Sequence, residues 1–373
     1  MDKKLVGQWY KEEMGETLNI FDEMPLRMKM SFSSSGYYNF EPNCVYEQDG
    51  DLCFEINDEQ NRMVYHVHLE GEALVGYYTR FGVQIPVHYA RMSEVPVDEA
   101  FFYEPTEIYV PNSKMTRIQA LRKFAAYDPD IQKEPHTDTY VLGGSLPDVL
   151  VRYDFYAAVK PDGTDATVFR TLNFVCDHFH HNGCIGLAKE RTIEGLIAFC
   201  EAHDGATNCR GLALLLAALL RLCGIKARHI TCMPYEEPFD DCHVVVDCLM
   251  PSGKRIMLDP TQRLYYKDEQ GEYVSLQQLR RLLIDGEPIY PNADASYNGG
   301  AFDAEDNRNY MTKNTLRFSR GTYFKDGYDD RSVRRLALIP AGYPIELFPA
   351  RERNEFIYDE AAFWSIDGEV IKG

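Results

Sequence analysis

The chain has 373 residues, 45% of them hydrophobic and 26% charged, which is a globular composition with length for two or three folding units. Acidic residues outnumber basic ones 58 to 39, and the net charge of −19 argues against a nucleic-acid or anionic-membrane surface, which needs clustered Lys and Arg. The N-terminus carries no apolar signal region, and the most hydrophobic run, Gly211 to Leu220, falls short of the roughly 20 apolar residues that span a bilayer. Ten cysteines are then expected as reduced thiols in a cytoplasmic protein rather than as a disulfide framework.

Residues 1–93 read as wholly β. Leu26 to Phe32 and Met63 to Leu69 alternate with period two, and turn signals recur at Ser35-Gly36, Asp49-Gly50, Asn57-Asp58, Glu70-Gly71 and Phe81-Gly82. Seven or eight short strands predict an antiparallel meander that closes on itself, since closure removes exposed edges. Residues 94–145, rich in Pro, Asp and Glu, read as a connector with one helix near 115–127. From 146 the pattern is mixed. A strand is expected over 149–159, helices over 166–180 and 192–203, and β-like runs return in the tail at 336–339 and 343–348. Boundaries of 1–93, 94–145, 146–320 and 321–373 follow, in an α+β protein.

The chemistry concentrates between 205 and 261. Gly205, Thr207 and Asn208 are turn and N-cap residues, a nearly unbroken Ala/Leu run follows, and Gly224 supplies a stop. Cys209 therefore falls in the first turn of a buried helix, where unpaired N–H groups and the positive dipole end favour thiolate. A cysteine can also simply fill core space. Its place beside the cap weakens that plainer role for Cys209, whereas Cys223 suits it well.

A thiolate needs a base and an orienter for that base. Apolar runs at 243–250 and 254–259 flank Pro251-Ser-Gly253, which predicts a hairpin with a three-residue loop closed by a left-handed Gly253. Met250 then opposes Lys254 and Val245 opposes Asp259. Val244, Val246, Cys248, Ile256 and Leu258 share the core face. His243, Val245, Asp247, Met257 and Asp259 share the other, with His243 and Asp259 diagonal neighbours about 7 Å apart at the backbone. A loop one residue longer or shorter would point the two apart.

These residues resemble the transglutaminase-like superfamily, whose members show a Cys at a helix start, then Leu-Gly-Ile-Pro-Ala-Arg, His-Ala-Trp-Val-Glu and Leu-Asp-Pro-Thr. The equivalents are Cys223 to Arg228, His243 to Asp247 and Leu258 to Thr261, within a matching stretch from Val168 to Thr261. Val245 replaces the family's aromatic and Asp247 its Glu. The resemblance implies a papain-like transglutaminase core with a C-terminal β extension. It also implies Cys209 as nucleophile, His243 as general base and acid, and Asp259 as orienter. The Cys209 N–H is a natural oxyanion donor; the sequence names no second one. Leu5-Val-Gly-Gln-Trp9 resembles the Gly-x-Trp start of lipocalin-like barrels, whose interior either binds an apolar ligand or is filled by its own side chains.

Two other clusters invite metal readings. Cys176 to Cys184 holds two Cys and three His in nine residues, at no standard zinc spacing; a helix end with polar His is the simpler reading, and the resemblance implies that some of these residues line the cleft. Cys232, Cys242 and Cys248 surround His243, where packing is simpler than zinc. His66, His68 and His88 fall in alternating strands; His66 and His68 share a face with no evident third ligand, so solvated or barrel-lining histidines are the simpler reading. The expected activity is a cysteine-dependent amide hydrolase or acyl transferase acting on a peptide or isopeptide bond in a protein or peptide substrate. No cofactor, metal, nucleic acid or membrane is expected, and oligomeric state is left open. The competing expectation is a non-catalytic scaffold with unreactive Cys209 and a cleft blocked by segments such as 234–241.

Overall fold

The computed structural model describes residues 3–11, 16–32, 37–57, 62–80, 83–96, 115–128, 131, 136–183, 185–235, 242–328, 335–345 and 353–373. They fall into two compact units, Met1–Gln119 and Ala120–Gly373, with helix α1 (Arg117–Lys123) across the division. That helix is shorter than the 115–127 expected.

Unit 1 is one antiparallel sheet: β1 (Gly7–Lys11), β2 (Glu16–Phe21), β3 (Arg27–Phe32), β4 (Tyr37–Phe40), β5 (Cys44–Gln48), β6 (Asp51–Asn57), β7 (Arg62–Glu70), β8 (Ala73–Arg80) and β9 (Val83–Ser93). The order β4-β3-β2-β1-β9-β8-β7-β6-β5 makes a nearly closed barrel whose edge strands are consecutive in the chain. Among the described residues nine strands form where the sequence suggested seven or eight, because the edge pieces β4 and β5 are short and β5 is largely solvated. Phe54, Tyr65, Tyr78, Tyr89, Met28 and Met30 pack into one interior cluster, so the barrel is filled by its own side chains. Trp9 is fully buried there, its Nε1–H donating to the Leu5 carbonyl at 2.9 Å, with the Arg91 guanidinium 4.0 Å from its ring. Gly7 is required beside it: its φ is +136° and a Cβ would meet the Ser93 carbonyl at 2.3 Å.

Unit 2 contains helices α2 (Asp148–Arg152), α3 (Phe155–Val159), α4 (Ala166–His178), α5 (Ile193–Ala202), α6 (Cys209–Leu222), α7 (Leu276–Asp285), α8 (Ala304–Asn314) and α9 (Glu360–Trp364). Its early strands are β10 (Asp138–Leu142), β11 (His180–His181), β12 (Ala206–Thr207), β13 (Ala227–Met233), β14 (His243–Leu249) and β15 (Arg255–Leu258). The later ones are β16 (Tyr266–Lys267), β17 (Tyr290–Pro291), β18 (Arg317–Gly321), β19 (Tyr323–Phe324), β20 (Arg335–Leu338), β21 (Phe356–Ile357) and β22 (Gly368–Lys372). A six-stranded sheet runs β15-β14-β13-β18-β20-β21, and a parallel three-stranded sheet runs β19-β10-β22. The tail strands thus belong to the same sheets as the central ones. In the tail, β20 matches the expected run at 336–339; residues 343–345 are not strand, and 346–348 lie outside the described residues.

The expected strand over 149–159 is instead two short helices, α2 and α3. Asp154 takes a left-handed φ of 49° between them, and the buried positions Val149, Leu150, Phe155 and Val159 follow helical rather than alternating spacing. Helix α6 is central. Every residue from Arg210 to Arg221 is buried, and it packs on α4, α5, β13 and β14. Each fully buried Leu contributes about 1.5–3 kcal/mol, so Leu212, Leu215, Leu216 and Leu219, all at 0% exposure, hold the start of this helix firmly in place.

Candidate active site

Cys209 is the first residue of α6. Asn208 caps the helix, its Oδ1 accepting from the Gly211 N–H at 3.0 Å. Gly211 admits no side chain, since a Cβ would sit 2.2 Å from Thr207 Oγ1. Gly211→Ala is therefore expected to push out the turn that presents Cys209. It should cost about 1–3 kcal/mol and slow Cys209 alkylation, as chemical denaturation and labelling rates would show.

The hairpin takes the predicted register. Val246 pairs with Leu258, Asp247 with Met257 and Cys248 with Ile256, while Gly253 closes the loop at φ +84°. Met250 N–H donates to Lys254 O at 2.9 Å. His243 and Asp259 accordingly meet on one face, with His243 Nε2 2.7 Å from Asp259 Oδ2. Asp259 is itself fixed: its Oδ1 accepts the Thr261 N–H at 2.9 Å, and its backbone exchanges bonds with Leu264 at 2.8 and 3.0 Å. The Leu-Asp-Pro-Thr run is thus an Asx turn with Pro at its second position, which locks the carboxylate's direction. The face of His243 and Asp259 is also buried, with Val245 and Met257 at 0% exposure, so β14 is a central strand covered on both sides.

With Nε2–H donated to Asp259, the other imidazole nitrogen turns to Cys209, which it hydrogen-bonds. Burial alone would raise the thiol, but hydrogen bonds from His181 and His243 and the charges of both rings outweigh it, and the net shift is downward. Burial pulls the His243 imidazole down, yet the Asp259 charge and hydrogen bond, joined by Cys209, lift it well above the usual histidine value. Both shifts favour a thiolate–imidazolium pair. The neighbouring thiols go the other way. Burial pushes Cys176 and Cys200 up to about 12 and Cys223 up to about 11, and holds Cys232 and Cys248 well above an ordinary thiol.

Two residues that sequence reasoning did not assign join the site. His181 reaches the Cys209 sulfur because β11 pairs in parallel with β12, placing His181 opposite Thr207. Tyr310 on α8 sets its ring edge-on to His243 at 5.3 Å. The His-rich run 176–184 gave a signal for the first, as a cleft-lining segment; no local signal points to the second. The other members of that run disperse: Cys176 donates to the Pro260 carbonyl at 3.3 Å and His178 bonds Phe174 O at 2.8 Å. Cys184 and residues 236–241 lie outside the described residues. Among the described residues, no three His, Cys, Asp or Glu side chains are placed to hold one metal ion. Among them too, no helix is long and apolar enough to cross a membrane. A cavity of about 600 Å³ lined by Glu70, Glu72, His88 and Arg91 lies in unit 1 and contains none of these site residues.

Residues 156–260 match the family model of the transglutaminase-like superfamily, an interval that holds Cys209, His243 and Asp259. A crystal structure of a candidate protease from Parabacteroides distasonis is similar at 12% identity and a TM-score of 0.24, over 57% of this chain and 42% of that one. The chain therefore spans under half the length of that protein. No curated protein matches the chain.

Proposed function

From a transglutaminase-like core over residues 156–260, we propose that the chain is a cysteine-dependent amide hydrolase or acyl transferase that cleaves a peptide or isopeptide bond. One observation carries this reading: a lowered Cys209 thiol bonded by an imidazole that Asp259 holds at 2.7 Å. In the proposed cycle the Cys209 thiolate attacks the carbonyl carbon, a C–S bond forms, and the carbonyl electron pair moves to oxygen. Collapse returns that pair and breaks the C–N bond, while His243 gives its proton to the departing amine. Water then attacks the thioester with His243 taking its proton. The acid leaves and the thiolate–imidazolium pair is restored. An amine in place of water would make the reaction a transfer. Asp259 stays ionised throughout and keeps the imidazole in the productive tautomer.

The test is iodoacetamide labelling across pH, resolved by peptide mass spectrometry, with His243→Ala in parallel. Cys209 is expected to label at about pH 7 at least roughly tenfold faster than the exposed Cys44, and to lose that lead without His243. Equal, slow labelling of Cys209 in both proteins would sink the enzyme reading and favour a non-catalytic scaffold.

A further inference from the structure

We infer that His181 donates the side-chain hydrogen bond that receives the developing oxyanion when Cys209 attacks, with Tyr297 and Asn298 as its positioning residues. The inference rests on the reading of Cys209 as nucleophile and supplies the second donor that the motifs do not name.

The placement is built from two directions. The parallel pairing of His180 with Ala206 and His181 with Thr207 brings the ring to the residue pair just before Cys209. From the far side, Asn298 grips the His181 backbone twice: its Oδ1 accepts the His181 N–H at 2.9 Å, and its Nδ2 donates to the His181 carbonyl at 2.9 Å. Asn298 does so from a left-handed φ of 50°, a conformation that Asn tolerates better than most residues. Tyr297 holds the ring itself, with its hydroxyl 3.1 Å from His181 Nδ1. The nitrogen left over, Nε2, is the one free to face the Cys209 sulfur, which the ring hydrogen-bonds.

Two imidazoles on one sulfur divide the work according to what stands behind each. Behind His243 is a carboxylate, which favours the cation and makes that ring the proton carrier. Behind His181 is a phenol, which can donate to Nδ1 without bringing a negative charge. The ring then keeps a hydrogen on Nε2 and acts as a donor. A carbonyl oxygen acquires its charge one bond away from the new C–S bond, so a donor already bonded to the sulfur lies within reach of it. The other donor is the Cys209 backbone N–H, one of the four at a helix start with no intrahelical partner.

The experiment separates oxyanion stabilisation from thiolate chemistry on the full chain. Acylation by p-nitrophenyl acetate passes through an oxyanion: Cys209 sulfur joins the acetyl carbon and nitrophenolate departs. Alkylation by iodoacetamide displaces iodide and forms no oxyanion. Both rates are taken at their high-pH plateaus, where the thiolate is complete in every variant. His181→Ala is expected to cut nitrophenolate release about 10²-fold or more, and alkylation by less than about threefold. His181→Gln, which keeps an N–H donor, should recover release to within about tenfold of wild type, and Tyr297→Phe should lose an intermediate amount. Should the alanine variant fail to fold, the glutamine and Tyr297→Phe proteins decide the question. Release that is unchanged in the alanine variant, that falls only in step with alkylation, or that glutamine does not recover overturns the role of His181. Wild type without release, or a Cys209 lead in iodoacetamide labelling near pH 7 that survives His243→Ala, takes down the parent reading instead.

Discussion

Asp259→Asn is expected to slow turnover about 10³-fold, within the roughly 10²–10⁴-fold range of general acid–base contributions, while the fold is retained. The amide keeps an oxygen to accept the Thr261 N–H, so the turn at 259–261 survives. What changes is the atom facing His243 Nε2, where an NH₂ would replace the carboxylate oxygen at 2.7 Å. Nε2 must then accept, the ring proton moves to Nδ1, and Nδ1–H points at Cys209, unable to take its proton. The pH profile gives a second readout. In wild type the acid limb follows the thiol, which lies below its ordinary value, and the alkaline limb follows the imidazolium, which lies above its own. Removing the carboxylate charge lowers the imidazole, and the weaker imidazolium lets the thiol rise. The bell should narrow from both sides. A wild-type rate, or a profile of unchanged width, would remove Asp259 from the mechanism.

Arg228→Met is expected to destabilise unit 2 by about 3–5 kcal/mol, the cost of breaking a buried ion pair from one side. Arg228 is fully buried and donates to two carboxylates and two backbone carbonyls. Its Nε donates to Asp247 at 3.0 Å, its Nη1 to Asp138 at 2.9 Å and to Ser365 O at 2.8 Å, and its Nη2 to Trp364 O at 3.1 Å. Arg320 and Arg255 remain, each 2.7 Å from Asp138 and Asp247 respectively, but two buried carboxylates would lose a shared partner and two carbonyls their donor. Each unit contains one of the two tryptophans, so urea unfolding followed through Trp364 in a Trp9→Phe background reports unit 2. Burial raises the Asp247 carboxyl, but Arg255 and Arg228 outweigh it and the net shift is downward. A depressed carboxylate contributes stability that is complete above its unfolded value, about pH 4, and lost as pH falls through the folded one. Arg228→Met should therefore also weaken the acid dependence of unfolding. A loss under about 1 kcal/mol would show that the network contributes little beyond what hydrophobic packing supplies.

Much of the candidate site was legible because its determinants are local. The cap at Asn208, the Ala/Leu run and the stop at Gly224 place Cys209 at a helix start without knowledge of the rest of the chain. Loop length and the two-residue period of a strand set the register from 243 to 259, and that register alone decides that His243 and Asp259 share a face. Where two periods compete over a short run, local reading failed. Residues 149–159 satisfy both, and the left-handed Asp154 resolves them into helices.

The amino-acid sequence by itself determined the α+β character, the likeness of residues 156–260 to the transglutaminase-like superfamily, and the helix start and hairpin register that carry Cys209, His243 and Asp259. Tertiary structure decided what surrounds them. His181 meets its clamp Asn298 across 117 positions, and Arg228 meets Asp138 across 90. Tyr310 reaches His243 from a helix that carries no mark of the site. Periodicity and turn chemistry act over a few residues, through steric and hydrogen-bond rules that neighbours along the chain impose on each other. Contacts between distant segments depend instead on how whole elements pack, and no local pattern encodes which side chains that packing brings together.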